Sequence, residues 1–495
     1  MKKLKLSKYI AVTVLLLAFT GCNDILERVE PSTSVSSEVA LTSPDAVRAI
    51  RASMYSKIRA SFAYTTQYMV GPGAFADETR NRPGSTRFQD LNAATGTSGL
   101  VHLGSWAASY NIIQEANLLI GAIQDGVMPQ AELNRIRGEA YAIRAYVYHN
   151  LARTYGYEPG RTGQGPEADW NLSVIIRTEP TLDLADADLR PRGTVSDVYA
   201  LMLDDLQQAK TLLAGVNADN RYATEAFVDA VAARVNLYAG NWAAASTAAQ
   251  AAITNSGRAL VNTADGVADM FYENTGDPHS EAILKLVVDP NTEGIGGANV
   301  NDGLAAYTSD QWVAQVPTQF VIGKYEEDDY RLAGWYRNCI ANQTTGGTAN
   351  NCQLVNDPAV AVTKWNGRKG NLADDIPLIR VAEMYLIWAE AAAKAANSPA
   401  SGQAPLAALR TARNAGAIPG TALANMTAFE DFILDERIRE LIVEGHRFWD
   451  LKRLGRDVRN PDDSIKMFAN SYRILAPIGS GLINVNELLV ENPGY

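Results

Sequence analysis

Apolar residues recur at three- and four-residue steps through several long stretches of this chain, the periodicity of amphipathic helices. The pattern predicts a helix from about Asp45 to Ala60 and another over 105–120, SWAASYNIIQEANLLI, with Trp106 and Tyr110 in the core. Four longer blocks repeat Ala and large aromatics at helical spacing: Ala131–Tyr155, Val195–Leu213, Thr224–Ile253 and Ile379–Asn414. Thr194 and Asp197 supply a start signal for the second block. The third reads as two helices hinged at Gly240 and Asn241, and the fourth as a pair broken over Asn397–Gly402. Small Ala opposed to large Tyr, Leu and Trp suits closely packed antiparallel helices, as in tetratricopeptide-like hairpins. The blocks are unevenly spaced, so no regular repeat array is expected. Tyr141, Tyr148, Tyr199 and Trp388 lie on these stripes and are assigned to the core.

Between the helical blocks the pattern breaks down. Residues 64–100 are rich in Gly, Asn and Thr and are expected to form loop. Residues 256–376 carry short apolar runs such as AILKLVV at 282–288, which suggest strands, among Gly/Asn-rich segments with many aromatics. Helical periodicity returns with Ile433, Leu434, Ile438, Leu441 and Ile442, and Thr427 with Glu430 forms a candidate capping box. Glu436, Arg437, Arg439, Glu440, Glu444 and Arg447 crowd the other face, where charges three and four apart are expected to pair along the helix. Gly445 permits a bend before the apolar knot of Phe448, Trp449 and Leu451 beside His446. The tail, 477–495, is irregular and expected to pack across the helices.

With 495 residues, 47% of them hydrophobic, the chain can bury a large core. Its formal net charge is -11, and without the four lysines of the first 21 residues the remainder carries 40 basic against 55 acidic groups. So acidic a surface repels phosphate backbones, which argues against a nucleic-acid partner. Those first residues combine Lys2, Lys3, Lys5 and Lys8 with the apolar run YIAVTVLLLAF, too short to span a bilayer comfortably and read as a secretory signal. The following TGC resembles a bacterial lipobox, which would make Cys22 a lipidated first residue; Phe19 departs from the usual aliphatic there. Cys339 and Cys352 bracket a polar loop. In an oxidising compartment they read as a disulfide worth roughly 3 kcal/mol, with two free thiols or a weak metal site as alternatives.

Enzyme signatures are thin. The four histidines show no metal-ligand spacing, and no G-x-S-x-G, H-E-x-x-H, Walker A or G-x-G-x-x-G motif occurs, so no metal or cofactor is expected. Adjacent acids such as Asp77-Glu78 point in different directions and read as solvated rather than as a catalytic pair. Sugar binding asks for less: flat aromatics for the C–H face of a pyranose, and amide, carboxylate or guanidinium groups for its hydroxyls. Two loop regions offer that mixture. The first supplies Asp77, Arg80 and Asn81 as polar candidates, and the second supplies Tyr307, Trp312, Trp335 and Trp365 as stacking candidates.

Several motifs resemble the RagB/SusD family of outer-membrane nutrient-uptake lipoproteins. They include ERIRELIVEGHRFWDLKRLG at 436–455, RGEAYAIRAYVYHNLARTYG at 137–156 and VYALMLDDLQQAKTLL at 198–213. The W…AN helix at 106–117, the DYR turn at 329–331, IPLIRVAEMYLIWAEAAAKA at 376–395 and the closing ENPGY extend the resemblance. It implies a mainly α fold, a tetratricopeptide-like helical hairpin scaffold with long irregular loops and a few short strands. It also implies a signal peptide at 1–21, a lipidated tether at 22–43 and an N-terminal region over 44–220. A central hairpin with ligand-binding insertions would follow over 221–376, and a C-terminal region over 377–495. The implied function is non-enzymatic capture of oligosaccharide or peptide at the cell surface, for a SusC-type TonB-dependent transporter in the outer membrane. A surface glycosidase or peptidase, or a tetratricopeptide-like adaptor in the periplasm, are the alternatives.

Overall fold

The structure is a computed structural model that describes residues 41–495 apart from 61–62, 83–84, 94–101, 184–187, 272–279, 290–302, 311–312, 339–343, 346–347, 350–352, 355–356, 359, 371 and 461. The expected signal sequence, Cys22, Trp312 and the Cys339–Cys352 pair lie outside the described residues.

The longer helices form where the periodicity places them, and two short ones arise in stretches expected to be loop or strand. They are α1 (Pro44–Ala60), α2 (Tyr68–Phe75), α3 (Trp106–Asn117), α4 (Gln130–Tyr155), α5 (Val195–Leu212), α6 (Glu225–Ala239) and α7 (Trp242–Ser256). After a loop-rich segment come α8 (Tyr330–Trp335), α9 (Val381–Ala396), α10 (Pro399–Ala412), α11 (Met426–Glu440) and α12 (Arg447–Arg453). Neighbours in sequence pack side by side, α4 on α5, α6 on α7 and α9 on α10, with α7 also against α9. This is the hairpin scaffold that the Ala/aromatic pattern predicts, and Tyr148 and Tyr199 lie in its core.

Local chemistry sets the ends. The Thr194 hydroxyl accepts from Asp197 N while the Asp197 carboxylate accepts from Thr194 N, a reciprocal capping box at α5. Gly240, at φ +75°, turns the chain from α6 into α7, a conformation in which a Cβ would be strained. The expected cap of Thr427 and Glu430 is not formed. Asn425 lies upstream and its carboxamide accepts from Ala428 N at 2.9 Å, so α11 begins one residue before Thr427. The break between α9 and α10 is also shorter than expected: Asn397 adopts the left-handed region and Pro399 opens the next helix.

Part of the expected loop 64–100 is helical. Residues Ala63–Gln67 form a π turn leading into α2, despite the Gly71-Pro72-Gly73 sequence. Packing explains the glycines, since a Cβ on Gly71 would lie 2.6 Å from the Leu103 side chain and one on Gly73 2.5 Å from the Glu78 carboxylate. Short antiparallel pairings tie distant loops together. β1 (Thr79–Asn81) pairs with β3 (Gln315–Pro317), and β2 (Ala282–Leu286) with β4 (Ile376–Arg380). Tyr336–Asn338 pairs with Val360–Val362.

The charged face of α11 is not solvated. Glu436, Arg437, Arg439 and Glu440 are all buried and meet charges brought from other elements. Glu440 accepts from Arg331 at 3.0 Å, from Arg380 at 3.1 Å, and from Arg413 at 3.0 and 2.9 Å. Glu281 bonds Arg380 and Arg413, each at 2.8 Å. Glu444 takes Arg380 at 2.7 Å and Lys364 at 2.6 Å, and Glu436 takes Arg410 at 2.5 Å. Pairing along the helix, as expected from the sequence, is confined to partners such as Glu436 and Arg439 at 2.6 Å. Burial alone would raise the Glu436 carboxyl, but Arg331, Arg439 and Arg410 outweigh it and hold it down at about 2. The same balance holds Glu440 low, through Arg413, Arg380 and Arg331.

Candidate functional site

A cleft of about 460 Å³ opens where α11, the segment after α12 and the start of β1 converge. Its volume lies in the range of small-molecule sites. Asp77 reaches it because α2 ends at Phe75 and the chain then turns into β1. There its carboxylate accepts two hydrogen bonds from Arg447, at the start of α12, both at 2.7 Å. Burial disfavours the guanidinium charge, but the paired carboxylate more than offsets it and raises the Arg447 pKa. Asp77 is therefore a paired anion at the cleft wall, not an isolated acid.

Phe320, on the short helix Gln319–Ile322, supplies the aromatic surface. It is 37% exposed, and Lys324, just past the end of that helix, holds its ammonium 4.3 Å from the ring centre. Lys324 also pairs with Asp435 at 2.7 Å. Arg456 bonds Glu430 at 2.6 Å and Asp431 at 2.9 Å, and Arg459 pairs with Asp463 at 3.2 Å. Asp457 accepts from Ala469 N at 2.8 Å. Five aspartates thus line the cleft with three arginines. The result is one apolar ring among polar groups already oriented by their partners.

Behind this wall lies a second buried acid. Glu78 accepts from Val443 N at 2.7 Å, and burial raises its pKa to about 8 against the pull of that bond and of Lys364 and Arg447. Val443 itself sits at φ +53°, an outlying conformation for a β-branched residue. Its carbonyl accepts from the Trp365 indole at 3.0 Å, so both polar groups of the strained residue are held. Gly445 follows at φ +84°, where a Cβ would lie 2.0 Å from Tyr68 O. This bend aims Arg447 at Asp77.

The structure distributes the residues chosen from sequence unevenly. Asp77 lines the cleft. Arg80 and Asn81 lie on β1, and the Asn81 side-chain oxygen accepts from Gln315 at 3.0 Å, so the two loop regions singled out separately do meet. Tyr307 is buried against Phe88, with ring centres 4.7 Å apart, and faces the Arg87 guanidinium at 5.0 Å. Trp335 and Trp365 are core residues rather than stacking platforms. Both are buried and flank Phe271 at 5.6 and 5.3 Å, and the Trp335 indole donates to Val267 O at 2.8 Å. No ring face is left for a sugar. Phe320 and Arg447 were missed. The charged, Gly- and Asn-containing run RLGRDVRNPDD after α12 was the available signal for the cleft.

Among the described residues, no three His, Cys, Asp or Glu side chains converge as metal ligands would. None of the described helices is long and apolar enough to cross a membrane.

Residues 306–495 match the SusD family model, and residues 26–237 match the model described as starch-binding associating with outer membrane. SusD-like protein P38 of Formosa agariphila is 26% identical, over 99% of this chain and the whole of that protein. SusD-like protein P2 of the same organism is also 26% identical, over the full length of both. Among solved structures, a SusD superfamily protein of Bacteroides thetaiotaomicron superposes with a TM-score of 0.74 at 22% identity, covering 91% of this chain and 100% of the other. A putative sugar binding protein of Bacteroides vulgatus gives 0.71 at 22% identity, covering 94% and 100%.

Proposed function

Because the chain belongs to the SusD/RagB family, we propose that it is a cell-surface lipoprotein, anchored through Cys22 in the outer membrane, that captures oligosaccharides and passes them to a SusC-type TonB-dependent transporter. The observation that carries the reading is the cleft. An exposed Phe320 ring stands among aspartates, arginines and Asn460, an apolar face beside hydrogen-bonding groups as a pyranose requires. The family description that names starch binding and outer-membrane association supports it, as does the sugar-binding description of the Bacteroides vulgatus neighbour. Capture without turnover fits the pairing of Asp77, whose two carboxylate oxygens are each held by the Arg447 guanidinium rather than left free for a substrate proton.

The test is calorimetry of residues 23–495 against a panel of oligosaccharides and peptide mixtures, with products checked for cleavage. Binding without cleavage, weakened at least tenfold by Phe320→Ala, is the expected result. Cleavage would make the protein an enzyme, and binding indifferent to Phe320 would move the site elsewhere. A peptide ligand in place of a glycan would appear in the same panel.

A further inference from the structure

Among the described residues, no carboxylate pairs with Arg153, a buried cation in the C-terminal half of α4. The residue is 4% exposed, and its Nε bonds to nothing. Its surroundings are aromatic: the guanidinium carbon lies 4.9 Å from the centre of the Trp449 ring and 5.5 Å from that of Tyr68. The other buried cations of this region are matched. Arg234 pairs with Glu383 at 2.6 Å, Arg437 with Asp450 at 2.7 Å, Lys452 with Glu158 at 2.7 Å, and Arg453 with Glu390 at 2.6 Å. His149 and His446 stay neutral, since burial and neighbouring arginines hold both well below the usual imidazole range. One positive charge is left over.

The polar atoms around that charge are unbonded as well. The hydroxyls of Tyr199 on α5 and Tyr238 on α6, the indole N–H of Trp449 on α12, and both ring nitrogens of His149, one helical turn before Arg153, have no partner among the described residues. They sit together. The His149 and Tyr238 rings meet edge to face at 4.7 Å, Tyr238 acts electrostatically on Tyr199, and the Arg153 charge acts on both tyrosines and on His149. Folded proteins pair nearly all such groups, so a cluster of exceptions asks for a reason. Enclosed water would satisfy the hydroxyls but not the charge, and a buried charge without its counter-charge is strongly unfavourable. A cation ringed by unused O–H and N–H donors has the make-up of an anion site.

We propose that Arg153 holds a small monovalent anion, chloride, enclosed between α4, α5, α6 and α12, with the Tyr199 and Tyr238 hydroxyls and the Trp449 indole as its further donors. An ion taken up as the helices close needs no channel from the surface. The site shares no residue with the cleft at α11 and α12. It therefore stands or falls independently of the capture reading.

Urea unfolding of residues 23–495 at fixed ionic strength, with chloride exchanged for methanesulfonate, tests it. Because only the folded chain forms the site, each tenfold rise in chloride above its dissociation constant should raise the folding constant about tenfold. Bromide should do the same, and a crystal grown in bromide should show its anomalous peak beside Arg153. Arg153→Met keeps an aliphatic stem against the two rings and removes the charge. Its stability should not respond to chloride, and should exceed that of the parent at the lowest chloride. Tyr238→Phe keeps the charge and should move the onset of the chloride response several-fold higher; it decides the matter if Arg153→Met does not fold. A parent stability that is flat in chloride overturns the proposal and leaves the unbonded groups, Glu158 Oε2 among them, to enclosed water. So does a chloride response that Arg153→Met retains, or a bromide crystal with no peak beside Arg153, since either would place the ion elsewhere.

Discussion

Replacing Glu440 by Gln tests whether the buried charges around α11 hold the fold together. The substitution keeps the volume of the side chain and opens no cavity, so its cost reports on the lost charge and its hydrogen bonds rather than on packing. Glu440 accepts four hydrogen bonds from Arg331, Arg380 and Arg413, two on each oxygen. Gln retains one of those oxygens and turns an NH₂ toward the two donors that faced the other. Hydrogen bonds to charged groups contribute about 1.5–3 kcal/mol each, and removing one partner of a buried ion pair costs about 3–5 kcal/mol. The two estimates agree on a loss of about 3–5 kcal/mol, a large share of the 5–15 kcal/mol typical of native proteins. Heat is a blunt readout here. At about 2 cal/mol/K of unfolding entropy per residue, a chain this long shifts by only about 1 °C per kcal/mol. Urea unfolding followed by tryptophan fluorescence and far-UV circular dichroism is the better assay, with coincident curves licensing a single free energy. Glu132→Gln, at the exposed pair with Arg48, is the matched control and should leave the midpoint nearly unmoved. A Glu440→Gln loss below about 1 kcal/mol would refute the reasoning, since it would mean that the arginines reach other partners or water.

Three further outcomes rest on the same geometry. Glu78 has a folded pKa of about 8 against 4.5 unperturbed, so the unfolded chain releases this proton first as pH rises. Its contribution is full below about pH 4.5 and is lost up to about 8, and Glu78→Gln should flatten that fall in stability-versus-pH urea titrations. Gly445→Ala places a methyl 2.0 Å from Tyr68 O at φ +84°, and should cost more than about 2 kcal/mol of urea stability through strain and clash. Trp365→Ala should cost about 3–5 kcal/mol as a core truncation, with ligand affinity of the folded variant unchanged in calorimetry.

The scaffold was legible because helix faces are written in local spacing. The Ala/aromatic blocks, the Thr194 cap and the Gly240 hinge each depend on residues within a turn or two. What escaped depends on distant partners. The Gly71-Pro72-Gly73 helix reads as loop until Leu103 and Glu78 close on the glycines. The charged stripe of α11 was visible, but not that Glu281, Arg331, Arg380 and Arg413 would meet it in the core. Aromatics in loops were hardest to sort. Trp335 and Trp365 look like Phe320 in the sequence, yet only Phe320 keeps a ring at the surface. Asp77 was found through loop composition, and its partner Arg447 lies 370 residues away.

The ion network also has a consequence for how the protein folds. Arg331 precedes Glu440 by 109 residues, and Arg380 precedes it by 60. Asp329 and Glu281 give these two guanidiniums one earlier partner each. Burying them without the carboxylates of α11 leaves buried charge unmatched, at a cost of about 3–5 kcal/mol. Glu436, Glu440 and Glu444 therefore close the C-terminal half in one step, and truncation before Glu440 should leave that half open to limited proteolysis.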